Sequence, residues 1–303
     1  MRVGLFIPCY VDQFYPQVGI ATLQLLEKYG CTVVYPASQT CCGQPMANSG
    51  FEHLAAGCNT LFIKNFQEFD YIVSPSGSCV LHIREHLHAD REEKAAAASQ
   101  EQHNHRGMSA GTEGLKGGQD AVSEEAKAIH IRKKIYELVE FLTDVLKVEK
   151  IDANFPHRVG IHQSCHGQRG LKLSQMSELM APYFSKPEHL LNMVKGIELV
   201  DLDRKDECCG FGGTFCVAEE AVSVKMGKDR VTDHVQHGAE YITGADMSCL
   251  MHLEGILHRQ KSPVKIIHIA EILNAQAAPE RHRVQDSHHA GMAIQSVSNG
   301  TNP

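Results

Sequence analysis

The feature that most constrains this chain is an internal repeat marked by cysteines. The tripeptide Arg-Val-Gly at residues 2–4 is followed by Cys9, and the same tripeptide at 158–160 is followed by Cys165 after the same interval. A Cys-Cys-Gly triplet occurs at 41–43 and again at 208–210, and a Ser-Cys-x-x-His string occurs once in each half beyond it. Three landmarks in the same order predict two copies of one folding unit, with loops of different length between fixed positions.

The residues around these landmarks have the pattern of an α/β protein. Short apolar runs predict strands at 3–7, 31–35, 71–73, 159–162, 197–202 and 240–243, and helical spacing of apolar residues predicts helices at 16–29 and 52–66. Each predicted strand leads toward a landmark cysteine, and open parallel sheets bind ligands at the carboxyl ends of their strands. The sequence therefore predicts two tandem, duplicated α/β domains, each a small, mostly parallel sheet flanked by helices, with its cysteines gathered at one edge.

The chain length suits this division, because 303 residues exceed the usual size of one domain. We expect the first domain over 1–88, a flexible insertion over 89–125, a connecting helix over 126–150, the second domain over 151–275 and a disordered tail over 276–303. The insertion is rich in alanine, glycine and polar residues and has almost no aliphatic periodicity, whereas helical spacing resumes over 131–148.

Composition excludes several classes of function. The formal net charge of -7 comes without a basic stripe, which argues against a nucleic-acid surface. No apolar run approaches the ~20 residues needed to cross a bilayer. The apolar run at the start ends at Pro8 and does not resemble a signal peptide. We therefore expect a cytoplasmic protein that meets the membrane only through partners, if at all.

Eleven cysteines in a chain without an export signal call for metal binding, redox chemistry or burial, because the cytosol keeps structural thiols reduced. Four thiolates complete the ligand shell of an iron-sulfur cluster, and each half offers four at matched places. The predicted cofactor ligands are Cys9, Cys41, Cys42, Cys79, Cys165, Cys208, Cys209 and Cys249. Adjacent cysteines suit a multi-iron cluster better than one tetrahedral zinc ion. Four thiolates complete either a 4Fe-4S or a 2Fe-2S cluster, and of these we expect the 4Fe-4S type.

Other residues near the landmarks allow more than one role. His82 and His252 occupy the third position beyond the last cysteine of each half, where each could be an additional metal ligand, a proton relay or a hydrogen-bonded neighbour. Cys216 follows the second pair and could be a neighbour of the site or a core residue. Four basic residues could offer positive charge to a carboxylate or a reduced cluster, or lie solvated at the surface. They are Arg84, His162, His166 and Arg169.

Longer strings around the cysteines carry a resemblance to a known family. They are QTCCGQP at 39–45, PSGSCV at 75–80, FPHRVGIHQSCHG at 155–167, ECCGFGGTF at 207–215 and ADMSCLMHL at 245–253. The chain resembles the cysteine-rich CCG-domain proteins, which include the cysteine-rich subunit of heterodisulfide reductase and the iron-sulfur subunit of glycolate oxidase, and is most similar to the lactate utilization protein A family. The reductase pattern ends each motif in Cys-x-x-Cys, whereas this chain has histidine at the last position.

The resemblance implies the iron-sulfur subunit of a multi-protein complex that oxidises L-lactate, a small 2-hydroxy acid, to pyruvate. It also implies two partners, a ferredoxin-like iron-sulfur subunit and a third small subunit. Two other functions stay open at this point. One is a thiol-disulfide reductase subunit of the heterodisulfide type, in which the cysteine pairs react directly. The other is an assembly module whose cysteines hold zinc.

Overall fold

The first half of the chain is built on a four-stranded parallel sheet in the order β2-β1-β3-β4. A computed structural model describes residues 1–89 and 117–276. The strands are β1 (Arg2–Leu5), β2 (Thr32–Val34), β3 (Tyr71–Ser74) and β4 (Ile135–Glu137). The helices are α1 (Cys9–Phe14), α2 (Pro16–Lys28), α3 (Gln44–Asn48), α4 (Ala56–Phe66), α5 (Gly77–His86), α6 (Gly117–Lys134) and α7 (Leu138–Glu140), with a 3₁₀ turn at Glu52–Ala55 and a π turn at Phe141–Val145.

The second half repeats this sheet in the order β6-β5-β7-β8. Its strands are β5 (Arg158–Ile161), β6 (Glu198–Leu199), β7 (Tyr241–Gly244) and β8 (Lys265–His268). Its helices are α8 (Lys186–Leu191), α9 (Phe215–Ala218), α10 (Glu220–Gln236), α11 (Met247–Arg259) and α12 (Ile269–Leu273), with a π turn at His166–Gly170.

The strand register shows that the repeat predicted from sequence is a repeat of structure. Val3 pairs with Tyr71 in the first sheet, and Val159 pairs with Tyr241 in the second. All the strand pairings in both sheets are parallel. The predicted fold class, two duplicated α/β domains with helix-flanked parallel sheets, is therefore confirmed.

The predicted helix over 131–148 is wrong in its middle. Helix α6 ends at Lys134, and the next three residues form β4, which pairs with β3 as the outer strand of the first sheet. Ile135 and Glu137 are fully buried on one face and Tyr136 is half-buried on the other, and three residues are too few to show the alternation that marks a strand in a sequence. Most of the predicted insertion and the tail beyond residue 276 lie outside the described residues, and α6 begins inside the range given to the insertion.

The two halves contact each other through equivalent elements. Ser76 and Asp246, which precede α5 and α11, form an antiparallel bridge, and the Gly77 N–H donates to the Ala245 carbonyl at 3.2 Å. Helix α1 of the first half contacts α11 of the second, and the π turn His166–Gly170 of the second half contacts α5 of the first. This reciprocal packing brings the carboxyl edges of the two sheets together. No helix within the described residues is long and apolar enough to span a membrane.

Candidate metal centre

All eight predicted cysteine ligands line one cavity between the two halves. The cavity has a volume of about 310 Å³, and its wall includes Cys9, Cys41, Cys42, Cys79, Cys165, Cys208, Cys209 and Cys249. The sequence predicted two separate groups of four, and the structure places both groups on the same cavity. This arrangement follows from the reciprocal packing of the halves, which the repeat alone does not reveal.

The four thiols of the first half form a continuous group. The Sγ atoms of Cys9 and Cys41 lie 4.0 Å apart, and those of Cys42 and Cys79 lie 3.3 Å apart. Cys42 and Cys79 are buried, whereas Cys9 and Cys41 are half-buried. We call these four residues the first quartet.

The second quartet has the same arrangement. The Cys208 thiol contacts those of Cys165 and Cys209, and Cys209 also contacts Cys249. Cys209 and Cys249 are buried, and Cys165 and Cys208 are half-buried. In both quartets one cysteine of the adjacent pair faces the protein interior and the other faces the more open side of the cavity.

The glycine after each cysteine pair is required by the backbone. Gly43 and Gly210 have φ angles of 91° and 86°, which residues with a Cβ rarely adopt. A Cβ on Gly210 would also lie 2.6 Å from the Ser223 carbonyl oxygen. In this conformation the Gly43 N–H donates to the Cys41 Sγ at 3.4 Å, and the Gly210 N–H donates to the Cys208 Sγ at 3.3 Å. The turns therefore present backbone donors to sulfur.

The last cysteine of each quartet lies in the first turn of a helix. Cys79 is in α5, where the Ser76 Oγ accepts from its N–H at 3.4 Å. Cys249 is in α11, which is capped by Asp246. Asp246 also accepts from the Ser78 N–H of the other half at 2.7 Å, so one carboxylate serves both helices. A capped helix N-terminus therefore positions the last cysteine of each quartet.

Neighbouring thiols and backbone amides favour one thiolate in each quartet. Hydrogen bonds from Cys42, Cys9 and the Gly43 amide hold the pKa of Cys41 far below its usual value. Hydrogen bonds from Cys165, Cys209 and the Gly210 amide do the same to the pKa of Cys208. The thiols of Cys42 and Cys209, by contrast, have raised pKa values because of these hydrogen bonds and burial.

This donor set fits a cationic metal group. Metal ligation requires all the thiols to be deprotonated, and four thiolates packed together need a positive group at their centre. The thiols approach one another without forming disulfides, since all the cysteines are free. The residues of each quartet would hold the cluster through sulfur, with the glycine amides donating to that sulfur.

The two histidines proposed as additional ligands do not line the cavity. His82 is buried and stacks on His86 with ring centroids 5.0 Å apart, and burial with the His86 charge lowers the pKa of His82 to about 4. The His252 ring lies 6.1 Å from the ring of Phe211, and burial lowers its pKa. Neither ring is on the cavity wall, and the role of both histidines as ligands stays a prediction.

His162 differs from the exposed cation that the sequence allowed. It follows β5 directly, is only 2% exposed, and neither ring nitrogen has a hydrogen-bond partner among the described residues. Burial and the Arg230 charge lower its pKa to about 3, so the ring is neutral near pH 7. One of its nitrogens and the sulfurs of Cys209 and Cys249 all lie within 4.8 Å of one another. No sequence motif distinguishes this histidine from its neighbour His166.

The other three basic residues near the landmarks have different surroundings. His166 lines the cavity, beside Cys165. Arg84 pairs with Glu140 at 2.6 Å, and the exposed Arg169 pairs with Glu178 at 2.8 Å. Of these three, His166 is therefore the one that the structure places on the cavity wall.

Two cysteines outside the quartets have structural partners of their own. Cys31 is buried in the core of the first half. The Cys216 thiol donates to the Gly213 carbonyl at 3.0 Å, next to the cavity that Gly213 lines. Cys216 is therefore a neighbour of the site and not a core residue.

Comparison with known proteins also divides the chain into two cysteine-rich domains. The family model for the cysteine-rich domain, CCG, matches residues 3–84 and 159–254, and each range contains one complete quartet. Lactate utilization protein A from Geobacillus sp. (strain WCH70) is 38% identical over 279 residues, which is 91% of this chain and 100% of the relative. The chain belongs to the lactate utilization protein A family. The member from Bacillus subtilis (strain 168) is 37% identical over 276 residues, again 91% of this chain and 100% of the relative.

Membership of this family extends across both halves of the molecule. The member from Oceanobacillus iheyensis is 38% identical over 274 residues, which cover 90% of this chain and 97% of the relative. The likeness is therefore not confined to the cysteine strings. It includes the sheets that position them, and it agrees with the family predicted from those strings.

Proposed function

We propose that this chain is the iron-sulfur subunit of a multi-protein complex that oxidises L-lactate to pyruvate. The observation that carries the proposal is the presence of two cysteine quartets on the wall of one cavity. The name of the relatives, lactate utilization protein A, supports lactate as the substrate of the system. Cysteine-ligated clusters, of the 4Fe-4S type, would supply electron transfer when bound.

The number of quartets suits the electron count of the reaction. Oxidation of lactate to pyruvate removes two electrons and two protons, and iron-sulfur clusters ordinarily exchange electrons one at a time. Two quartets side by side would hold two such centres. The chain could then accommodate both electrons of one turnover before a partner removes them.

The chain's own residues would position and protect the cofactor. Cys42, Cys79, Cys209 and Cys249 are buried on the inner side of the cavity. Cys9, Cys41, Cys165 and Cys208 are half-buried on its more open side, where substrate or partner would approach. We propose as partners a ferredoxin-like iron-sulfur subunit and a third small subunit, in a cytoplasmic complex.

A second candidate, thiol-disulfide chemistry, has one specific observation in its favour. The Cys42 and Cys79 sulfurs are 3.3 Å apart, a separation that a small movement would convert to a disulfide. Thiol titration of metal-free protein before and after mild oxidation distinguishes this candidate. Pairwise loss of thiols with matching substrate turnover would favour it, and iron with acid-labile sulfide in the native protein would favour the cluster.

The proposal is tested on the complex purified anaerobically from cells that express all three subunits. We expect lactate-dependent dye reduction by the native complex, and its loss to background when Cys41→Ser and Cys42→Ser are combined. Cys58→Ser is the matched control, because Cys58 is half-buried and does not line the cavity. Full activity in the paired variant would contradict the proposal.

A further inference from the structure

His162 occupies a position whose counterpart in the first half is an aromatic residue. Phe6 follows β1 as His162 follows β5, and each donates its N–H to the neighbouring strand. The Phe6 N–H reaches the Val73 carbonyl at 2.9 Å, and the His162 N–H reaches the Thr243 carbonyl at 2.7 Å. The backbone is therefore equivalent, and only the side chain differs.

At this position the first half has an apolar ring that packs against another ring, whereas the second half has a polar ring whose nitrogens lack hydrogen-bond partners among the described residues. Phe6 is fully buried and packs edge-on against Phe62, with ring centroids 4.9 Å apart. His162 is equally buried, yet both of its ring nitrogens lack a partner among residues 1–89 and 117–276. Buried polar atoms in native proteins nearly always have a partner, so an orphaned imidazole at this position requires an explanation.

Two cysteine sulfurs of the second quartet lie close to the His162 ring. One ring nitrogen of His162 and the sulfurs of Cys209 and Cys249 lie within 4.8 Å of one another. Two donors on one tetrahedral metal, with metal–sulfur and metal–nitrogen bonds of about 2.3 and 2.1 Å, lie roughly 3.6 Å apart, which is inside this limit. Among the described residues, this is the one group that combines quartet thiols with an imidazole at such a distance.

We propose that His162 is a metal donor in the second half, binding the metal there together with Cys209 and Cys249. The first half then holds a site of thiolates alone, and the second half holds a site of thiolates and imidazole. This inference deepens the proposed function. It rests on one part of that function, namely that the second half binds metal.

His234 provides a matched control in the same half. It is fully buried, and both of its ring nitrogens also lack partners among the described residues. It packs against Gly160, as Phe66 packs against Gly4 in the first half. No quartet thiol forms a metal-binding group with it in the described chain. His234→Phe and His162→Phe thus both introduce the aromatic residue found in the first half, but only the latter removes a proposed donor.

The experiment uses full-length protein in which Cys41→Ser and Cys42→Ser remove the first site, so that all bound metal belongs to the second. Samples are reconstituted anaerobically with ferrous iron and sulfide, or in parallel with Zn²⁺ alone. Metal and sulfide are measured after challenge with a chelator. Pulsed electron paramagnetic resonance of the reduced iron samples reports nitrogen bound to the metal.

We expect His162→Phe to weaken metal retention at least ~10-fold and to abolish the nitrogen coupling. His234→Phe should change neither, and His162→Cys should restore metal retention without the nitrogen signal. Because the cysteine variant supplies a new donor, its rescue separates loss of a ligand from loss of folding.

Two results would overturn the inference. One is a His162→Phe protein that keeps both its metal and its nitrogen coupling. The other is a second half that binds neither iron nor zinc with His162 intact. If zinc alone binds, without sulfide, and its retention depends on His162, the inference stands and the iron-sulfur function fails. If a cluster forms without nitrogen coupling, the function stands and the inference fails.

Discussion

The two halves of this molecule share their sulfur positions but differ in the layer behind them. In the first half, Phe6 and Phe66 pack behind the sheet edge as apolar rings with centroids 5.8 Å apart. In the second half this layer contains His162, His234 and the fully buried Arg230, which pairs with Asp233 at 3.1 Å. The comparison shows that the cysteine positions and the strand register are the same in both halves. The charged and polar side chains behind the two quartets, by contrast, differ.

Removal of a cysteine pair is the strongest way to test whether the halves are equivalent as ligand sets. Cys41→Ser with Cys42→Ser should empty the first site and leave the second loaded, and Cys208→Ser with Cys209→Ser should do the reverse. Each variant is expected to retain only the iron of its intact half, because each quartet has its own contacts. Iron analysis after anaerobic reconstitution checks this. Loss of all the iron from either variant would show that the eight thiols hold one shared group.

The glycines after the pairs should differ in how much they tolerate a side chain. Gly210→Ala should lower the free energy of unfolding by about 3 kcal/mol, since it combines left-handed backbone with a clash against a carbonyl oxygen. Gly43→Ala should cost less, because its nearest neighbour is a side-chain Cβ at 2.9 Å. Gly50→Ala is the control, with a φ of 80° and open space around it. Equal losses for Gly210 and Gly50 in urea unfolding would contradict the packing described.

Ser76 and Asp246, which cap equivalent helices in the two halves, should contribute unequally to the free energy of unfolding. Asp246→Ala should lower the free energy of unfolding by about 2 kcal/mol, because the buried N–H groups of Ser78 and Ser248 lose their acceptor. Ser76→Ala should cost about 1 kcal/mol, the usual loss for one cap. Thermal unfolding of the two variants measures the difference. A larger loss for Ser76 would disprove the role of Asp246 in joining the halves.

Glu137, which ends β4, and His268, which ends β8, should give the free energy of unfolding opposite dependences on pH. Burial raises the pKa of Glu137 to about 8, so its stability contribution is present below its ordinary value of 4.5 and is lost as pH rises to about 8. Burial lowers the pKa of His268 to about 4, so its contribution is present above its ordinary value of 6.5 and is lost as pH falls to about 4.

Each group should contribute a slope of at most ~1.4 kcal/mol per pH unit within its window. Glu137→Gln should therefore remove a decline in stability between pH 4.5 and 8, and His268→Gln should remove a rise between pH 4 and 6.5. Urea unfolding across pH 4 to 8.5 measures both slopes. Unchanged slopes in the two variants would exclude these groups as the source.

Much of this organisation could be predicted from the sequence, because the cysteine landmarks and short apolar runs are local signals. They predict most of the strands, the duplicated α/β domains and the family. The strand Ile135–Glu137 was missed, since three residues are too few to show a distinguishing period. The shared cavity and the proximity of His162 to Cys209 depend on how the chain packs in three dimensions, and no spacing along the chain encodes that contact.

The most direct test of the cluster is analysis of iron and acid-labile sulfide in the anaerobically purified wild-type protein. We predict a brown protein with both elements, and loss of both when the two cysteine pairs are replaced together. A colourless wild-type protein that binds neither element, even after reconstitution with ferrous iron and sulfide, would contradict the central claim that the quartets hold iron-sulfur clusters.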